Sequence, residues 1–217
     1  MGRAEILCLE TGLWWGTLRE HSSVAPCLQI LSQPGLEEVP HVHRTALTQA
    51  ELANYLKEWT RPRNARLNVL YLAFHGQRAG LDFVWTSRRT PDLSLAELGR
   101  MLERKCEGKV VHLSTCLGFR DPDEIARFVR TTRCLAFSGY ARSVDWTKSV
   151  ALDLLYLSAL GYFGVTRKGI EKARADLVRD AGGLVRQFGF QIHTAPPPPR
   201  RRLASARPGS TRARSRR

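Results

Sequence analysis

Leu67–Gly76, LNVLYLAFHG, and Val110–Gly118, VVHLSTCLG, decide how this chain folds. Each is an apolar run that stops at a reactive side chain: His75 followed by Gly76, and Cys116 after Ser114 and Thr115. Runs of this length, rich in Val, Leu and aromatics, predict strands buried on both faces. Between them Leu93 to Lys105 carries a helical pattern. Strand, crossover helix and strand make a parallel pair, whose C-termini share one sheet edge. With strands ~4.8 Å apart, His75 and Cys116 are expected within several ångströms of each other. A thiol beside an imidazole at the carboxyl edge of an α/β sheet is where a nucleophilic site is expected.

Working outward, Ala4–Glu10 reads as a first strand, followed by a loop with Trp14 and Trp15. Val24–Leu31 is predicted helical, capped by Ser22 or Ser23, with Pro26 in the first turn. Val39–Arg44 is a short strand, and Thr48–Trp59 a helix whose Thr48 and Glu51 form a capping box. Gly80–Trp85 reads as a β-excursion after His75. Ser94–Cys106 is the crossover helix, with Ser94 and Glu97 as a second capping box. Pro122–Arg130 is a helix capped by Asp121, and Leu135–Gly139 a strand. Trp146–Leu160 and Arg167–Phe188 are long helices, the latter stopped by Gly189, and Phe190–His193 is a last strand. The order implies a three-layer α/β sandwich with a mainly parallel central sheet.

The block ending in His-Gly and the block ending in a small residue and Cys resemble the caspase-like cysteine peptidases of clan CD. Within that clan the likeness is closest to the bacterial CHAT-type domains. Cys134–Leu160, CLAFSGYARSVDWTKSVALDLLYLSAL, is similar to their stretch of strand, Gly-containing turn, acidic residue and long helix. The resemblance covers roughly residues 4 to 194. It implies a cysteine endopeptidase with a His75–Cys116 dyad and a protein or peptide substrate. Gly76 and Cys116 amides would donate to the oxyanion. His75 would protonate the leaving amine, with the substrate helping to activate the thiol. Leu117-Gly118 departs from the polar pair usual after the CHAT cysteine, which bears on the neighbouring pocket.

Other constellations compete. Asp145, next to Trp146, is either a pocket acid for a basic P1 side chain or the N-cap of the long helix; the cap is the favoured reading. Asp82 and Asp121 are further pocket acids or solvated groups. A metal site from His75, His112 and Cys116 is disfavoured, because His112 sits deep in its strand as a core histidine. No CxxC pair occurs, and no metal or cofactor is expected. His41 and His43 read as structural or solvent-facing. Ser114–Gly118, S-x-C-x-G, matches a glutaminase-type nucleophile elbow, for which only His193 lies downstream as a base.

Composition bounds the rest. The 217 residues and 43% hydrophobic content suit one domain, 1–194, with a tail from 195 to 217. The net charge is +14; eight Arg and no acid from 196 onward supply +8 of it, leaving +6 elsewhere. That Pro/Arg-rich tail is expected to be disordered. It suits nucleic acid or another polyanion, or is simply solvated. MGRAEILCLE has no long apolar h-region, and no window reaches ~18 apolar residues. Five cysteines, an odd number, read as reduced thiols. A cytoplasmic, bacterial protein without membrane contact is the expectation. The runner-up function is a non-catalytic signalling or binding module on the same fold.

Overall fold

A computed structural model describes residues 3–15, 19, 22–33, 38–78, 80–84 and 90–196. In chain order the elements are β1 (Ile6–Glu10), α1 (Ala25–Leu28, continued by a 3₁₀ turn), β2 (His41–Thr45), α2 (Gln49–Trp59), β3 (Val69–Ala73), β4 (His75–Gln77), β5 (Gly80–Asp82) and β6 (Leu93–Ser94). Then come α3 (Leu95–Met101), β7 (Val110–Ser114), α4 (Pro122–Thr132), β8 (Ala136–Tyr140), α5 (Trp146–Phe163), α6 (Arg167–Phe188) and β9 (Phe190–Thr194).

Six strands form the central sheet in the order β2-β1-β3-β7-β8-β9. All pair in parallel except the edge strand β9, which runs antiparallel to β8. Side chains alternate between two cores. Ile6, Cys8, Tyr71 and Ala73 pack toward α5 and α6, and Leu7, Leu9, Leu70, Leu72 and Leu113 pack toward α2, α3 and α4. The sheet is thus buried on both faces, and the chain folds as a three-layer α/β sandwich, as the apolar runs imply. From β1 the chain moves outward to β2, then returns across to β3 and onward. The β1–β3 gap is therefore a switch point, and a crevice is expected at the carboxyl ends there.

Both capping boxes exist: Thr48 with Glu51 and Ser94 with Glu97. Asp121 caps α4, and Gly189 closes α6 in the left-handed conformation. The differences are local. α3 ends at Met101 rather than Cys106, and α1 is one turn whose cap position is Val24, although the Ser23 hydroxyl accepts the Ala25 N–H. The His75 segment is two strands: β3 stops at Ala73, and β4 joins β5 and β6 in a small antiparallel sheet. Trp85 and residues 197–217, hence almost all of the expected tail, lie outside the described residues.

One buried carboxylate crosses the layers. Asp153, 1% exposed in the middle of α5, accepts from His112 Nε2 (2.7 Å), Tyr140 OH (2.5 Å), Tyr71 OH (2.9 Å) and Ser114 Oγ (2.6 Å). Burial first, then the Asp153 charge, push both tyrosine hydroxyls well above the usual phenol range, so they stay protonated donors. His112 Nδ1 meets Ser138 Oγ at 3.0 Å. Removing the acceptor orphans several buried donors at once. Asp153→Ala is expected to cost about 3–5 kcal/mol, the scale for breaking a buried pair. Urea denaturation checks this, and a loss below ~1 kcal/mol contradicts it.

Candidate active site

The strand register builds the site. Ala73 pairs with Ser114, so His75 and Cys116 each lie two residues beyond matched positions on neighbouring strands. The Phe74 N–H still reaches Ser114 O at 3.4 Å before the chains diverge. His75 and Cys116 then open on one cavity of about 230 Å³ at the carboxyl edge. Gly76 packs directly on the Cys116 main chain: a Cβ there would stand 2.3 Å from Cys116 O and 2.7 Å from Cys116 N. Glycine is required by that approach, since any side chain would cover the Cys116 amide. Among the described residues that amide makes no backbone hydrogen bond.

His75 is held by the loop after β1. Its Nε2 lies 2.6 Å from Trp14 O, and a carbonyl can only accept, so Nε2 carries the proton. The neutral ring then keeps its lone pair on Nδ1. Burial pulls the His75 pKa below the usual imidazole value, against the Trp14 carbonyl and the Asp82 charge, which push it up. The Trp14 ring meets His75 edge to face at 5.1 Å. Trp14 is itself fixed by Glu10, 2% exposed at the end of β1. Glu10 Oε1 accepts from Trp14 Nε1 and Val24 N, both at 2.7 Å, and Oε2 from Ser23 Oγ at 2.6 Å and His43 Nε2 at 2.7 Å.

Cys116 faces the α5 entry, where the Val144 N–H donates to Sγ at 3.4 Å. The next residue, Leu117, takes φ 60°, a left-handed conformation costly for a branched side chain. Its N–H donates to Arg142 O at 3.2 Å, which pins the sharp turn directly after the cysteine. Cys8, Cys106 and Cys134 are buried in the cores, and Cys27 is half-buried on α1. Burial raises all four thiols, Cys106 to about 12 and Cys134 to about 11, which disfavours their thiolates. Of the five cysteines, only Cys116 lines this cavity.

The remaining candidates fall elsewhere. Asp145 is exposed and caps α5, accepting the Lys148 N–H at 3.0 Å, and it does not line this cavity. Asp82 also stays out of the cavity. It is buried opposite His75 in the β4–β5 ladder, and its Oδ1 accepts the Asp92 N–H at 2.8 Å. Asp121 is consumed by the α4 cap. Trp146 does line the cavity. His112 is spent on Asp153 and Ser138, and among the described residues no group of three or more His, Cys, Asp or Glu is arranged to hold a metal. His193, the base needed for a glutaminase arrangement, sits on the edge strand opposite Phe137 and bonds to Gln191, away from Cys116. His41 and His43 are structural, bonded to Ser32 and Glu10.

Glu10, Trp14, Val144 and Asp153 escaped the sequence reading. Two of them leave a trace there: Glu10 ends an otherwise apolar strand, and Asp153 is the lone acid within SVALDLLYLSAL. An acid in a buried run must find donors. Which donors it finds depends on strand order, which the linear sequence does not display.

Burial lowers three histidines, His41, His75 and His193. In the unfolded chain each returns toward ~6.5, so below that pH the unfolded state binds more protons than the folded one. Stability therefore falls as pH drops through ~6.5. Thermal melting between pH 8 and 5 should show a plateau above ~7 and a declining Tm below ~6.5; a Tm that rises on acidification contradicts the assignment.

Comparison with curated proteins finds no match. A family model, described as a family of unknown function, spans residues 3–193 and so covers both strand ends, the cavity and the Asp153 network. The chain belongs to that family, DUF6642.

Proposed function

We propose that this protein is a cysteine endopeptidase of the caspase-like kind, resembling the CHAT-type domains, with Cys116 as nucleophile and His75 as acid/base. The single observation that carries the reading is the joint opening of both side chains on one cavity. A Gly76 that cannot bear a side chain keeps the Cys116 amide uncovered beside it.

Sγ attacks the scissile carbonyl carbon and the carbonyl oxygen becomes the oxyanion. The Cys116 N–H, unspent among the described residues, is one donor for it; the Gly76 N–H is assigned as the second. The thiol proton passes to His75 Nδ1 and from there to the departing amine as the C–N bond breaks. Water then hydrolyses the thioester, its proton returning through His75 to regenerate the thiol. The Trp14 carbonyl suits this cycle: it orients the ring and stabilises the imidazolium that forms transiently. No third catalytic side chain is needed.

Among the described residues no helix is long and apolar enough to cross a membrane. Five free cysteines fit a reducing, cytoplasmic setting. The eight arginines from 200 to 217 suit phosphate contacts with nucleic acid or another polyanion, which would make binding salt-dependent.

Turnover of a peptide library by purified protein tests the proposal. Cys116→Ala is expected to abolish cleavage with the fold intact, and His75→Ala to reduce it by ~10²-fold or more, the scale for a positioned acid/base. Changing Cys8, Cys27, Cys106 or Cys134 to Ala should shift stability by about 1 kcal/mol and leave the chemistry alone. Wild-type-like cleavage by Cys116→Ala ends the proposal. A wild-type protein that neither cleaves nor reacts with thiol-directed peptide probes favours the non-catalytic module instead.

A further inference from the structure

The cavity beside Cys116 has a definite chemical character. Its walls are the rings of Trp14, Trp15 and Trp146 and the side chains of Val24, Val144 and Val150. Trp14 and Trp146 meet edge to face, with centroids 6.4 Å apart and planes at 81°. Of the polar groups on its lining residues, the Ser114 hydroxyl donates to Asp153 and that of Ser149 to Trp146 O at 2.9 Å, while Thr115 Oγ1 and Trp146 Nε1 are buried without a partner among the described residues; all four are uncharged.

Among the described residues no Asp, Glu, Lys or Arg lines it. The acids around it face other partners, and Asp82, across the ladder from His75, accepts the Asp92 N–H. Asp153 lies beneath Ser114 with four donors, Glu10 behind Trp14 with four, and Asp145 on the α5 cap. His75, lowered by burial, stays neutral at pH 7. A charged side chain entering here would lose its hydration and find no counter-charge.

Size points the same way. An apolar cavity of about 150 Å³ accepts a benzene-sized ring; this one, at 230 Å³, accepts a ring and its methylene. A guest ring would extend the edge-to-face series that runs from His75 through Trp14 to Trp146. We infer that this cavity is the pocket for the substrate residue on the acyl side of the scissile bond, and that it selects a bulky, uncharged, preferably aromatic side chain. This rests on Cys116 being the acyl-transfer nucleophile.

The test uses full-length protein and peptidyl acyloxymethyl ketones that differ only in the first residue: Phe, Leu, Ala, Arg or Asp. The rate of adduct formation at Cys116 is read by mass spectrometry. Phe should react fastest, by ~10²-fold over Arg and Asp. Trp15 is 56% exposed at the cavity mouth, so Trp15→Ala should fold; it should lower the Phe-to-Ala rate ratio by about 5-fold. Fastest reaction with Arg or Asp, or equal rates across the series, overturns the pocket assignment while leaving Cys116 as the nucleophile. A second arm measures binding of N-acetylphenylalanine amide and N-acetylarginine amide to Cys116→Ala by tryptophan fluorescence. Aromatic binding without any ketone labelling leaves a cavity that takes aromatic rings but removes the peptidase reading, and with it the assignment to the acyl-side residue. Neither labelling nor aromatic binding overturns both.

Discussion

The carboxylate of Asp153 sets the geometry on which the site depends. It is buried in α5, and its donors come from three neighbouring strands: Tyr71 on β3, His112 and Ser114 on β7, and Tyr140 on β8. Desolvating a carboxylate is expensive unless each lone pair finds a donor, and here four do. That requirement fixes α5 against the sheet in rotation as well as distance. The first turn of the same helix carries Trp146, Ser149 and Val150 to the cavity wall, and Ser114 joins the network to the cavity floor. The α5 wall and the two strand ends therefore form one rigid unit.

Glu10 does the same on the other side of the switch point. Its four partners tie the end of β1 to Trp14, Ser23, Val24 and His43. Two of these, Trp14 and Val24, line the cavity, and the Trp14 carbonyl orients His75. Further along, the Thr11 hydroxyl donates to Phe83 O, and Leu13 bridges to Val84, which joins the β1 loop to the small sheet carrying His75. Both anchoring acids are saturated by the protein itself. They hold the pocket in shape and contribute no charge to its interior.

The sheet was legible because its evidence is local. Ile6–Glu10, Val69–Ala73 and Val110–Ser114 are apolar on both faces, so they need helices above and below. Thr48, Ser94, Asp121 and Gly189 announce helix ends by their own hydrogen bonds or conformation. The placing of His75 and Cys116 on one cavity followed from one crossover between parallel strands. What the linear pattern did not carry was long-range pairing. Strands of two or three residues have little periodicity: Gly80–Trp85 marks β5 as a β-excursion, but β4 and β6 do not declare themselves. The pocket's character was hidden for a related reason. Asp145 and Trp146 are neighbours in sequence, yet the helix cap turns the acid outward and the indole inward. Of the acids that do approach the site, Glu10 and Asp153 belong to the core and Asp82 to the small sheet.

A crystal structure of the protein inactivated by a Phe-type peptidyl acyloxymethyl ketone tests the central claim most directly. The expected result is a thioether at Cys116 Sγ, with the ketone oxygen within ~3.1 Å of the Cys116 N–H and His75 Nδ1 facing the reacting centre. The phenyl ring should lie between Trp14 and Trp146. An adduct on another cysteine, or a ketone oxygen turned to solvent with His75 out of reach, would contradict the assignment of Cys116 and His75 as one functional unit.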